Sequence, residues 1–222
     1  MGGSSSARVF NLTLHGVGEP CRRLPAGEEG VWLSVPALER VLDEARARHD
    51  VRITVDDGNR SDAEILLWEL ERRNLIATFF VVVGRLERED FLHAHDLEAI
   101  LDAGHALGSH GMRHRPWRGL GCQALAEELS TAKGVLETIG KRPITQLSCP
   151  FGSYDRRMLR RARELGYERV FTSDGGPACA HAWLQPRTTI SAAADPSLCE
   201  IARPTRRNVL VTRAKRAVKQ WR

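Results

Sequence analysis

Two carboxylates in Ile53-Thr-Val-Asp-Asp-Gly58 and two imidazoles in Ser109-His-Gly-Met-Arg-His114 are the groups of this chain best suited to chemistry. Each pair sits where an apolar run meets a turn. Two His and one Asp make a hydrolytic metal site with open coordination positions, and the second Asp stays free to act as a base. His110 and His114 are four apart, so on a helical turn or tight loop both rings can point the same way. Adjacent residues leaving a strand diverge, so one of Asp56 and Asp57 can hold a metal while its neighbour faces a substrate water. A lone His-x-x-x-His is more often two surface histidines, and acids after a strand often cap the next helix. The specificity lies in the pair of motifs, in this order.

The elements that must position them follow an alternating pattern. Arg8 to Leu14 reads as a strand, and Gly16 to Gly30, rich in Gly and Pro, as a loop. Val35 to His49 has helical spacing, with Leu38, Val41, Leu42 and Ala45 on one side. Val51 to Val55 is a β-branched strand that stops at Asp56-Asp57-Gly58. Ser61 and Glu64 form a capping box for the next helix, whose Leu66, Leu67 and Leu70 face the core. Ile76 to Val83 reads as a buried strand of a parallel sheet. Helices follow at Asp96–Ala103, Cys122–Ile139 and Asp155–Leu165. Strands fall at Ala106–Ser109, Ile144–Leu147 and Arg169–Thr172, with one more within Trp183–Ile190. The clusters at Asp56, His110–His114, Phe151–Gly152 and Asp174 all follow strands, and in α/β barrels strand carboxyl ends share one face. The expected fold is an α/β architecture, an incomplete or distorted (β/α) barrel, in preference to an open doubly wound sheet. No Gly-x-Gly-x-x-Gly or Walker-type loop opens a helix, which argues against nucleotide binding.

With these residues in place, the chain resembles the polysaccharide deacetylase family, which carries the NodB homology domain (carbohydrate esterase family four). Thr54-Val-Asp-Asp-Gly58 is similar to the family's Thr-Phe-Asp-Asp-Gly, and His110-Gly-Met-Arg-His114 to its His-Ser/Thr-x-x-His. Ala77-Thr-Phe-Phe80 and Gly104-His-Ala-Leu-Gly-Ser-His110 also resemble family segments in the expected order, and the likeness covers roughly residues 50 to 190. The resemblance implies that Asp57, His110 and His114 hold a divalent metal, zinc being the usual ion, and that Asp56 is the general base. The third motif, Arg-x-Pro-Tyr/Phe-Gly, falls on Ser148-Cys-Pro-Phe-Gly152, so Phe151 would lend its backbone N–H to the oxyanion hole. Pro150 and Gly152 are assigned to the substrate side of the site.

Three positions depart from the family pattern. Ser148 stands where the family has the Arg that orients the catalytic Asp, and Arg187, in Pro186-Arg-Thr-Thr-Ile190, is the candidate to supply that charge from another strand. The fourth motif is not recognisable, although Asp174 lies near its place. The Leu-x-His motif that brings the general acid is absent, and His181 is the candidate substitute. Trp117, just after the second motif, is a candidate for stacking on a sugar ring, with a core or rim aromatic as the alternative. His15, ending the first strand, can reach the same face.

At 222 residues the chain suits one large α/β domain. We divide it into an N-terminal strand and loop extension (1–34), a NodB-like deacetylase domain (35–200) and a basic amphipathic tail (201–222). Of 33 Lys and Arg against 28 acids, eight fall after Glu200 with no acid among them; the remainder carries 25 against 28, a net −3. In the tail, Leu210, Ala214, Ala217, Val218 and Trp221 share a helical face, suited to an anionic membrane surface or to packing on the domain. It has no aromatic platforms for nucleic acid. Five scattered cysteines without Cys-x-x-Cys fit a reducing cytoplasm. The longest apolar run, Leu75 to Val83, is too short to span a bilayer, and no secretory signal is visible. The expected function is metal-dependent removal of N-acetyl groups from a sugar, an oligosaccharide or a lipid-linked glycan precursor of polysaccharide biosynthesis. The alternatives are a related amidohydrolase on a small non-glycan amide, and a non-catalytic carbohydrate- or partner-binding module that keeps the metal.

Overall fold

Period-two alternation in the strands puts apolar side chains on one face of a curved sheet and polar or aromatic ones on the other. The computed structural model describes residues 7–191 and Lys219. Its strands are β1 (Arg8–Leu14), β2 (Val51–Asp57), β3 (Ala77–Val81), β4 (Ala106–Ser109), β5 (Gln146–Ser148), β6 (Arg169–Thr172), β7 (Ala178–Cys179) and β8 (Leu184–Thr189). All but β7 pair in parallel in the order β2-β3-β4-β5-β6-β8-β1, and β1 returns to β2 to close the ring. The barrel is therefore seven-stranded and distorted: β4 and β5 share a single register pair, Ser109 with Leu147. Short β7 lies antiparallel to the start of β1, pairing Arg8 with Cys179 and Val9 with Ala178.

Helices α1 (Val35–Arg46), α3 (Ala94–Asp102), α5 (Ala132–Gly140) and α6 (Arg156–Glu164) cover the outside. Short α2 (Leu67–Glu71) and α4 (Cys122–Ala126) each adjoin a π-helical turn, at Asp62–Leu66 and Glu127–Thr131. Leu12, Leu14, Ile53, Val55, Phe79 and Val81 point outward and pack in one cluster with Leu38, Val41, Leu42, Leu70 and Leu136 of the helices. Each buried Leu or Ile there contributes on the order of 1.5–3 kcal/mol through apolar burial. The alternate residues point into the bore and bond to one another. Asn11 Nδ2 donates to Gln185 Oε1 at 3.0 Å, and Thr54 Oγ1 donates to the Leu12 carbonyl at 2.7 Å. Phe80 and Phe171 stack with ring centroids 5.0 Å apart, and the Arg187 guanidinium lies over both.

Two expectations are corrected. Strand β1 is a stave of the barrel, paired on both sides, so the boundary drawn at residue 34 does not separate an extension from the domain. Ser61 is not an N-cap: its backbone is already helical, and its Oγ accepts from the Val17 N–H at 3.1 Å. Glu64 pairs with Arg60 at the surface instead of closing a capping box. The amphipathic reading of 207–222 and the boundary at 200 fall outside the described residues, Lys219 excepted. Among the described residues no helix is long and apolar enough to cross a membrane.

Candidate metal centre

Strand β2 delivers Asp56 and Asp57 at its carboxyl end, and Asp57 leaves the strand with a left-handed φ of 83°. That break from extended geometry lets the two carboxylates diverge into separate networks. Asp56, continuing the inward alternation from Thr54, meets Arg187 of β8. The guanidinium grips both carboxylate oxygens at 2.6 Å and donates to Ser148 Oγ at 2.7 Å. Ser148 Oγ in turn lies 3.3 Å from Asp56 Oδ2. Arg187 is thus placed where a fork-shaped cation holds the Asp56 carboxylate, and Ser148 occupies the smaller space left beside it. Burial is the largest influence and opposes ionisation of Asp56, but the charge and hydrogen bonds of Arg187 together with the neighbouring imidazoles outweigh it and hold the carboxyl below the usual carboxylate range.

Asp57 turns to the imidazoles. Its Oδ1 is 3.0 Å from His114 Nε2 and 3.6 Å from His110 Nε2, and the three potential ligand atoms lie within 4.8 Å of one another. Burial disfavours the charged form of Asp57, yet the close approach of His114 and the charge of His110 keep it far below the normal range. Asp57 Oδ1 is buried and has no aligned hydrogen bond among the described residues. His110 Nδ1 donates to the Ser148 carbonyl at 2.9 Å, which turns its Nε2 lone pair toward Asp57. One carboxylate and two imidazoles around an unsatisfied oxygen suit a divalent cation such as zinc.

His114 has a different second partner. Arg85 Nη2 donates to its Nδ1 at 3.0 Å, and Arg85 also stands 3.5 Å from Asp57 Oδ1 and 3.8 Å from Glu28. The proton of a neutral His114 then sits on Nε2, facing Asp57. Loading a cation requires that proton to leave and Arg85 to release Nδ1. Arg85 was not foreseen from sequence, because it follows β3 without any motif of its own.

The loop carrying the histidines is built from below by Glu128, a second residue the motifs did not reveal. Fully buried, its carboxylate accepts from the N–H groups of Met112 (2.7 Å) and Arg113 (3.2 Å), from Trp117 Nε1 (3.3 Å) and from Arg115 Nε (2.7 Å). Gly111, which replaces the family's Ser/Thr, has φ +80°, and a Cβ there would lie 2.5 Å from Glu128 Oε2 and 2.7 Å from Trp117. The substitution follows from this close approach. Trp117 is corrected on the same ground: it is 0% exposed, a support under the histidine turn, and unavailable for stacking on a sugar.

Phe151 is 65% exposed, adopts φ 56°, and lies with its ring 4.7 Å from His114. Pro150 and Gly152, both buried, make the tight turn around it. Asp174 accepts from Tyr154 OH and Thr172 Oγ1, so it orders the loop behind Phe151. His181 is corrected outright. It follows β7, which pairs with the start of β1, and so lies at the barrel end opposite Asp56. A seven-residue strand separates the two ends by roughly 20 Å. His15, by contrast, directly follows β1 at the site end of the barrel, and its buried Nδ1 has no partner among the described residues.

Burial pulls His110 down to about 4, partly offset by the charges of Asp56 and Asp57. The unfolded chain, with a His pKa near 6.5, binds more protons between these values, so stability falls as pH drops through that window. The loss is about 3 kcal/mol across it. Urea midpoints of metal-free protein at pH 7 and pH 4.5 are expected to diverge more for the native chain than for His110→Asn; equal divergence would contradict the assignment.

A parallel (β/α) barrel with its polar groups gathered at the strand carboxyl ends defines a class of enzyme scaffold. The comparisons place it more closely. The family model for polysaccharide deacetylases matches residues 43–170, and the chain belongs to that family. YxkH of Bacillus subtilis (strain 168), whose name assigns it to the polysaccharide deacetylases only provisionally, is 24% identical over 142 residues, 64% of this chain and 51% of that one. Chitin deacetylase 1 of Cryptococcus neoformans var. grubii is 29% identical over 120 residues, 53% of this chain and 24% of that protein. The chain therefore spans about half of the first and a quarter of the second. Among solved structures, the Streptococcus pyogenes deacetylase PplD, determined with acetate, superposes with a TM-score of 0.77 at 16% identity over 89% of this chain and 99% of that one. This last likeness speaks for the fold.

Proposed function

We propose that this chain is a divalent-cation-dependent hydrolase that removes N-acetyl groups from a sugar or glycan precursor. The observation that carries the reading is the separation of two adjacent carboxylates: Asp56 clamped by Arg187, Asp57 facing two imidazoles. Asp57, His110 and His114 would hold the ion. When bound, such an ion supplies Lewis acidity that polarises an amide carbonyl and acidifies water. Asp56, kept ionised by Arg187, accepts the proton of the attacking water. Phe151 offers its backbone N–H to the oxyanion of the tetrahedral intermediate, and the neighbouring turn holds that N–H in place. The leaving amine must then gain a proton. Asp56, once it has taken the proton of the water, is the proposed donor, with His15 on the same face as a second candidate.

Zinc, the ion usual in this family, is the proposed metal. The proposed setting is the cytoplasm, with the basic tail giving access to membrane-borne precursors. The test is acetate release from N-acetylglucosamine oligomers by the full chain, before chelation, after it, and after refilling with zinc. Chelation is expected to abolish release, and zinc to restore it. Stoichiometric zinc binding without release of acetate from any acetylated glycan would instead favour a non-catalytic binding module.

A further inference from the structure

The buried Asp174 carboxylate pairs with Lys219, more than forty residues further along the chain. Lys219 Nζ donates to Asp174 Oδ1 at 2.7 Å and to the Gly152 carbonyl at 2.9 Å, and sits 5.1 Å from the centre of the Tyr154 ring. The other carboxylate oxygen accepts from Tyr154 OH at 2.7 Å and Thr172 Oγ1 at 2.9 Å. The Asp174 side chain is only 1% exposed. A carboxylate buried to that degree is costly unless a cation accompanies it. The same ammonium grips the backbone of the Phe151–Gly152 turn. Both residues of that turn have left-handed φ, 56° and 58°, and a Cβ on Gly152 would stand 3.1 Å from Ser173. A turn in this conformation needs its surroundings to hold it.

We propose that Lys219 is a positioning residue, which ties Asp174 to the Gly152 carbonyl and so fixes where the Phe151 N–H points. The inference rests on the deacetylase reading for its catalytic consequence, but its contact with the turn stands independently. It explains why a cation near the chain terminus reaches into the loop behind the metal centre, a role separate from any contact of the basic tail with a membrane. The ammonium bonds no ligand of the metal centre and does not touch the reacting atoms; it acts through the turn.

The test compares Lys219→Met and Lys219→Arg in the full chain, by amide hydrogen exchange of residues 151–153 and by steady-state acetate release. In Lys219→Met the Gly152 and Ser153 amides are expected to exchange at least tenfold faster. Its kcat is expected to fall about tenfold with KM within twofold, the pattern of a misplaced transition-state donor. Lys219→Arg, which keeps the charge, is expected to recover most of both. Unchanged exchange in Lys219→Met would overturn the contact, and faster exchange with unchanged kcat would overturn its catalytic consequence. If the native chain releases no acetate while exchange still accelerates, the deacetylase reading fails and the Lys219 contact survives.

Discussion

Asp56→Asn is expected to reduce acetate release by roughly 10²–10⁴-fold while the protein still takes up one divalent ion. The range is that of removing a positioned general base. The amide is close in shape to the carboxylate, and its one oxygen still accepts from one prong of Arg187, although its NH2 is a donor and gives up the second prong. It cannot take a proton from water at neutral pH. Metal uptake should persist because the proposed ligands are Asp57, His110 and His114, in a network next to but distinct from the Arg187 clamp. Kinetics of acetate release together with metal analysis of the variant decide the matter. Retained activity would assign the base elsewhere, and loss of the ion would show that Asp56 is itself a ligand.

The second large effect belongs to Arg187. Its partners Asp56, Ser148 and Thr54 and its own guanidinium are buried, with Asp56 oxygens at 2.6 Å on either prong. Arg187→Met leaves a carboxylate in the barrel bore without its cation. Breaking a buried pair from one side typically costs about 3–5 kcal/mol. Asp56 is now held below the ordinary carboxylate range despite burial that pushes it up. With Arg187 gone, burial dominates and the carboxyl titrates higher. The acid limb of the activity profile is therefore expected to move upward in pH, in addition to the loss of stability. Urea unfolding of Arg187→Met, Asp56→Asn and the double variant checks the first point. The double variant should lose less than the two single losses added together, because the second change removes a charge that the first has stranded. Additive losses and an unmoved acid limb would show that the pair is structural decoration.

These two residues also show what the sequence could and could not disclose. The Asp-Asp-Gly and His-x-x-x-His segments are local, so their chemistry was readable from neighbouring residues. The Asp56–Arg187 pair spans 131 residues and depends on β8 lying beside β1, with β1 beside β2. A strand order of that kind is written in no short stretch, although the family pattern supplied a reason to look for a replacement cation. The same ring closure explains the misplaced boundary at residue 34. Parallel neighbours need long crossovers, so the Gly- and Pro-rich loop after β1 resembled the edge of a domain. Trp117 misled for a different reason. An aromatic beside a histidine motif reads as a rim residue until Glu128, from a π-helical turn, is seen to take its N–H inside. His181 is the candidate substitute for the absent Leu-x-His motif, and only the antiparallel pairing of β7 with the start of β1 shows it at the wrong end.

The filled bore has a further consequence for traffic. Phe80, Phe171 and the Arg187 fork plug the tube beneath Asp56, with Asn11 and Gln185 packed along it. On the proposed deacetylation, reactant and both products would share one doorway, and acetate would have to clear the same threshold that the next acetamido group has to cross.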